Sequence, residues 1–258
     1  MSGDGNRGPP ATNDVIAVAA QLKAILVDVG GTLLPNGFEV TPSERAERAE
    51  ALSAVLGAPL EQAVAIFDRV NADLLSSPTC TADAVVAGAL AAYGCARTGD
   101  ALKRARQALC VPLSHVVQPF DGAGFLLQGI RELGLACVVV SNTDLRDAEM
   151  YRRDFADFGW SGWVNTYVTS VDVGARKPDV RMFQTALGAA GAEPHQAVMV
   201  GNSELADIAP AVQLGMGAIL VAVEEPPPVT TAAAACCVSL NGALELLCRW
   251  AGPVPPSP

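Results

Sequence analysis

The chain has 258 residues, with 17 Lys plus Arg against 27 Asp plus Glu, a formal net charge of −10. Such an acidic balance argues against nucleic acid and anionic membranes as partners. The only histidines, His115 and His195, lie far apart in the chain, which excludes a multi-histidine zinc site and argues against a Ser-His-Asp triad.

In chain order, Met1 to Asn13 is Gly-, Pro- and polar-rich and lacks the basic start and apolar run of a signal peptide. Residues 1–20 are expected to be a disordered tail on a cytoplasmic protein. Apolar runs then recur at Ala24–Val29, Cys137–Val140, Thr166–Thr169, Ala197–Val200 and Ala218–Val223. Each is continuous and bounded by polar or Gly residues, the pattern of strands buried on both faces of a parallel sheet. Helical segments alternate with them at Gly124–Leu133, Asp144–Phe158 and Asp179–Ala190, with Gly134, Gly159 and Gly191 as stops. The alternation predicts an α/β, doubly wound, Rossmann-like parallel sheet.

From Thr41 to Cys110 no strand signal appears. Thr41-Pro42-Ser43-Glu44 starts one helix, Pro59-Leu60-Glu61 a second running to about Leu75, and Thr81–Tyr93 and Asp100–Leu109 give two more. The division that follows is a core of residues 21–36 and 112–250, a helical insert at 37–111 and a Pro-rich tail at 251–258. The seven cysteines, Cys80, Cys95, Cys110, Cys137, Cys236, Cys237 and Cys248, include no C-x-x-C pair. They read as small buried residues of a reducing compartment, with Cys236-Cys237 in a strand core.

Ligands of a parallel sheet bind at the carboxyl ends of its strands. The residues there are Asp28-Val29-Gly30-Gly31-Thr32, Ser141-Asn142, Ser170 followed by Lys177-Pro178-Asp179, and Gly201-Asn202-Ser203-Glu204 with Asp207 beyond. This set suits an anionic substrate attacked by a carboxylate. Asp28 is the candidate nucleophile and Lys177 the catalytic cation. Gly30, Gly31 and Thr32, with Ser141 and Asn142, are the candidate substrate-binding residues. The plainer role of Ser141-Asn142 is to cap the helix that follows, and that of Asp207 is to start a helix or pair with Lys177. Mg²⁺ prefers hard oxygen ligands, and Asp28, Gly30, Asn202 and Asp207 are the candidate metal group.

The order and spacing resemble the haloacid dehalogenase-like hydrolase superfamily over roughly Lys23 to Leu247. Its first motif, Asp-x-Asp-Gly-Thr, reads Asp28-Val29-Gly30-Gly31-Thr32 here. The second ends a strand in Ser141-Asn142, the third is Lys177-Pro178-Asp179, and the fourth, Gly-Asp-Ser with a later Asp, reads Gly201-Asn202-Ser203 with Asp207. The resemblance implies that the insert is the family's small α-helical cap. Two departures stand out: Gly30 occupies the position of the family's general acid/base, and Asn202 that of its metal-binding aspartate.

The resemblance implies a Mg²⁺-dependent phosphatase of a small phosphorylated metabolite, working through an aspartyl-phosphate on Asp28. One alternative is a metal-independent 2-haloacid dehalogenase-like hydrolase. That chemistry needs neither leaving-group acid nor metal, but no Arg follows closely behind the first motif to grip a substrate carboxylate. The other is a catalytically impaired binding protein. The expected partner is a small anionic molecule, with no nucleic acid and no membrane, and the chain is expected to be a monomer or homodimer.

Overall fold

The structure is a computed structural model that describes residues 22–76 and 81–252. The expected tail at 1–20, Cys80 and residues 253–258 lie outside the described residues. Strands β1 (Ala24–Val27), β2 (Ala136–Ser141), β3 (Thr166–Thr169), β4 (Ala197–Gly201), β5 (Gly217–Val221) and β6 (Ala235–Cys237) form one sheet. Their order is β3-β2-β1-β4-β5-β6, and every pairing is parallel. The first strand therefore lies inside the sheet, flanked by β2 and β4, and its four residues are fully buried.

Alternate residues of each strand feed two cores, which is why the strands are apolar throughout. Ile25, Val27 and Val139 face one side, under α6 (Ala123–Glu132), α7 (Ala148–Asp157) and α11 (Leu240–Ala251). Ala24, Leu26 and Val138 face the other, under α9 (Val180–Ala190) and α10 (Ala209–Gln213). Between β1 and β2 the chain leaves the sheet for α1 (Pro42–Leu56), α2 (Leu60–Ser76), α3 (Ala82–Ala92) and α4 (Gly99–Ala108). These four helices have a core of their own, with Leu52, Ile66, Val86 and Leu90 at its centre. Short α5 (Leu113–Val116) returns the chain to the sheet, and short α8 (Ser170–Val173) follows β3. Among the described residues no single helix is long and apolar enough to cross a membrane.

Several expected boundaries move, each for a local reason. Asp28 N still donates to the Val200 carbonyl at 2.9 Å, but the first strand ends at Val27 because the Val29 carbonyl accepts the N–H groups of Thr32, Leu33 and Leu34 in a turn that leaves the sheet. The fifth strand stops at Val221 rather than Val223. The helix expected from Asp144 starts at Ala148, because Asp147 is its N-cap and accepts from Met150 N at 2.9 Å. Ser141-Asn142 therefore caps nothing. Cys236-Cys237 does lie in a strand, but β6 is the sheet edge and leaves Cys236 exposed and Cys237 half-buried. Cys95, Cys110 and Cys137 are buried as expected, whereas Cys248 is exposed.

Candidate active site

Asp28 follows β1 directly, so the centre of the sheet delivers its carboxylate to the strand-end edge. It is 6% exposed. Lys177, from the loop before α9, places Nζ 2.5 Å from Asp28 Oδ1, 2.7 Å from Asp207 Oδ1 and 2.8 Å from the Val140 carbonyl. An ammonium has three protons, and all three are donated. Burial pulls the Lys177 pKa down, but Asp28 and then Asp207 outweigh it, and the group titrates above the usual lysine range. Asp207 is 1% exposed in a single π-turn, Glu204–Ile208. Burial, with the neighbouring Asp28 charge, lifts its pKa to about 6 against the opposing pull of Lys177. Its second oxygen accepts from Ser203 N at 3.0 Å. A Cβ on Gly201 would stand 2.6 Å from this carboxyl group, so the chain has Gly where the acid packs against β4.

The loop after β2 positions Lys177. Asn142 Oδ1 accepts from Lys177 N at 2.7 Å, and Asn142 Nδ2 donates to Lys177 O at 2.9 Å. Its amide is thus engaged on both sides by the lysine backbone. Ser141 Oγ lies 2.9 Å from the Tyr151 hydroxyl, and Thr143 N donates to Ser170 Oγ at 2.8 Å. On the other side of Asp28, the Thr32 hydroxyl donates to Asp28 Oδ2 at 3.0 Å and stands 3.4 Å from Asn202 Oδ1. Gly31 has φ of 75°, and a Cβ there would meet Asn202 Nδ2 at 2.1 Å, so its backbone conformation and lack of a side chain are both needed. Glu204 turns away to Thr231 and Ala232 N. Asp207, expected among the metal ligands, accepts from Lys177 at one oxygen and from Ser203 N at the other, much as Asp28 accepts from Lys177 and Thr32. Thr32 thus links Asp28 to the Asn202 amide oxygen.

Beside this cluster, between the insert and the sheet edge, lies a cavity of about 520 Å³ that reaches Gly30, Ser141 and Asn142. That volume suits a small molecule.

A family model described as haloacid dehalogenase-like hydrolase matches residues 22–215. The chain belongs to this family. Among curated relatives, mouse haloacid dehalogenase-like hydrolase domain-containing protein 3 is 38% identical over 105 residues, 41% of this chain and 40% of that protein. Glyceraldehyde 3-phosphate phosphatase of Methanothermobacter thermautotrophicus is 34% identical over 110 residues, 42% and 47% of the two chains. The hydrolase thus spans less than half the length of these relatives. Among solved structures, a HAD phosphatase from Thermococcus onnurineus aligns at 21% identity and TM-score 0.57, covering 88% of this chain and 98% of that one. A 2-haloacid dehalogenase from Pseudomonas syringae aligns at 24% and 0.57, covering 89% and 99%. These two show a shared fold.

The hydrolase site gathers Asp28, Thr32, Ser141, Asn142, Lys177, Asn202 and Asp207 around one strand edge. Sequence reasoning gave no role to Tyr151, or to Thr143 and Asn36, although Thr143 stands in the cluster after the second apolar run. Tyr151 lies on a helix that no motif marks. Asn36 Nδ2 donates to Glu224 Oε2 at 3.2 Å, and its Oδ1 fills the space 3.0 Å from where a Gly30 Cβ would stand. Its one sequence signal is the Asn36-Gly37 turn.

Proposed function

We propose that the chain is a phosphatase of small phosphate monoesters, with Asp28 as nucleophile and Mg²⁺ as cofactor. The observation that supports this most is the fixed cation beside the acid: all three Lys177 protons are held, one of them by Asp28. A phosphoryl group approaching Asp28 would meet a positive charge that needs no rearrangement to act. Asp28 attacks phosphorus in line, the bond to the ester oxygen breaks, and water then cleaves the aspartyl-phosphate. Gly30 carries no acid, so the leaving oxygen takes its proton from solvent. The phosphatase relative from Methanothermobacter supports this reading.

Asp28, Asn202 and the Gly30 carbonyl fit magnesium by type, because all are hard oxygens and the ion accepts one carboxylate with waters and substrate phosphate. When bound, Mg²⁺ supplies positive charge to the phosphoryl oxygens. Replacing Asp28→Asn should lower phosphate release from a panel of monoesters roughly 10⁴-fold or more, with an unchanged circular dichroism spectrum. Undiminished release would overturn the assignment. Gly30 and Asn202 favour a second reading, metal-free haloacid hydrolysis, for which halide release that persists in EDTA is the test.

A further inference from the structure

We propose that the cavity between insert and sheet selects a monoester whose alcohol part is uncharged, with Asn71 reading a hydroxyl or carbonyl on it. This rests on the phosphatase reading of Asp28. On the insert side, Phe67, Asn71 and Leu74 of α2 face the cavity, spaced four and three residues apart on one helical stripe. On the sheet side Leu34, Leu113 and Val117 complete an apolar wall.

The charged side chains that reach the cavity are Asp144 and Arg146, and each is ion-paired, though Arg146 Nη1 makes no hydrogen bond among the described residues. Arg146 Nε donates to Asp154 at 2.6 Å, its Nη2 to the Val111 carbonyl, and its guanidinium lies over the Tyr151 ring. Asp144 pairs with Arg176 at 3.1 Å. A carboxylate or second phosphate on the leaving group would therefore enter a largely apolar space whose one lining guanidinium among the described residues is already paired with Asp154, and would be disfavoured.

The polar side chains are engaged too. Asn36 is bonded to Glu224, Ser141 to Tyr151, Asn142 to Lys177 and Thr143 to the Arg146 carbonyl. Asn71 is half-buried and, among the described residues, has no hydrogen-bond partner. An amide both donates and accepts, which matches a hydroxyl or carbonyl on the substrate. Among the described residues, Arg48 is the one guanidinium with a buried, unbonded Nε. It holds the Cys110 carbonyl at 3.4 Å, stands 3.7 Å from Glu47 and does not line the cavity.

The test compares propyl phosphate, glycerol 3-phosphate and phosphoglycolate. Wild type should turn over the first two with kcat/KM about tenfold or more above the third. Asn71→Leu should cost glycerol 3-phosphate about tenfold more than propyl phosphate, through KM, and Asn71→Ala should show the same ratio. A preference for phosphoglycolate, or equal losses for both neutral esters, overturns the inference. A phosphoglycolate preference abolished by Arg48→Met would assign the pocket to Arg48 instead. Calorimetry on Asp28→Asn separates this from the chemistry. If no ester is hydrolysed by wild type, the phosphatase reading falls. Tighter binding of glycerol 3-phosphate than of phosphoglycolate by Asp28→Asn would still uphold the cavity's selectivity, and the reverse order would sink it.

Discussion

At the scale of residues, the site is a small balance of charge. Asp28 and Asp207 flank Lys177, leaving one negative charge in excess. Both acids hold the lysine, and Thr32 links Asp28 to Asn202. Asn202 stands within reach of Thr32 on the cation side and brings an oxygen without charge. Replacing Asn202→Asp should therefore tighten Mg²⁺ binding, about tenfold, measured by calorimetry in the absence of substrate. No change in affinity would mean that Asn202 lies outside the cation's reach. Asp28, Lys177 and Asn202 were legible in the sequence because each directly follows a buried apolar run or sits in a motif. The Asp207–Lys177 pair was only one of two readings. Its two members are 30 residues apart, and the π-turn that aims Asp207 inward has no pattern of its own.

At the scale of elements, continuous apolar runs located β1 to β5 and start signals located the helices of the insert, but tertiary contacts of a cap decided where α7 begins. Asp144 and Asp147 are both credible N-caps by residue type. The choice falls to Asp147 because its carboxylate also accepts from two groups of the insert. Arg106 Nη2 donates to Asp147 Oδ2 at 2.9 Å, and Gln107 Nε2 donates to the same oxygen at 2.9 Å. No local pattern contains partners about 40 residues away. Nor did the sequence reading find α11, whose Leu240, Ala243, Leu247 and Trp250 close one face of the sheet. Asp147→Ala removes a helix cap, worth about 1 kcal/mol, and strips a buried guanidinium of its buried acid, worth about 3 kcal/mol or more. The urea midpoint should fall by a matching amount with little change in slope. A loss under 1 kcal/mol would show that water replaces the acid at Arg106.

At the scale of the molecule, the cores on the two faces of the sheet and the core inside the helical insert share one chain, and a buried ionic joint connects the insert with the sheet side. Arg106 of α4 is 4% exposed and binds Asp83 of the insert, the Leu145 carbonyl and Asp147 of the sheet side. Arg146 extends the joint to Asp154 at 2.6 Å and to the Val111 carbonyl. Ion pairs of this kind add little net stability, but breaking one leaves an uncompensated buried charge. Their effect is to make the insert's position relative to the sheet depend on specific contacts, and the cavity between them is defined by that position. The tryptophans report on this. Trp160, Trp163 and Trp250 all pack in or against the sheet core, and the insert has none. Indole fluorescence therefore follows the sheet region, whereas far-ultraviolet circular dichroism also follows the four insert helices. Wild type should give coincident urea transitions by the two probes. Arg106→Met keeps most of the side-chain volume and removes the charge, so the insert should lose its tie to the sheet side. The dichroism transition should then begin at lower urea than the fluorescence transition. Coincident curves in the variant would show that the insert and the sheet are held together by the apolar contacts around the cavity, without need of the ionic joint.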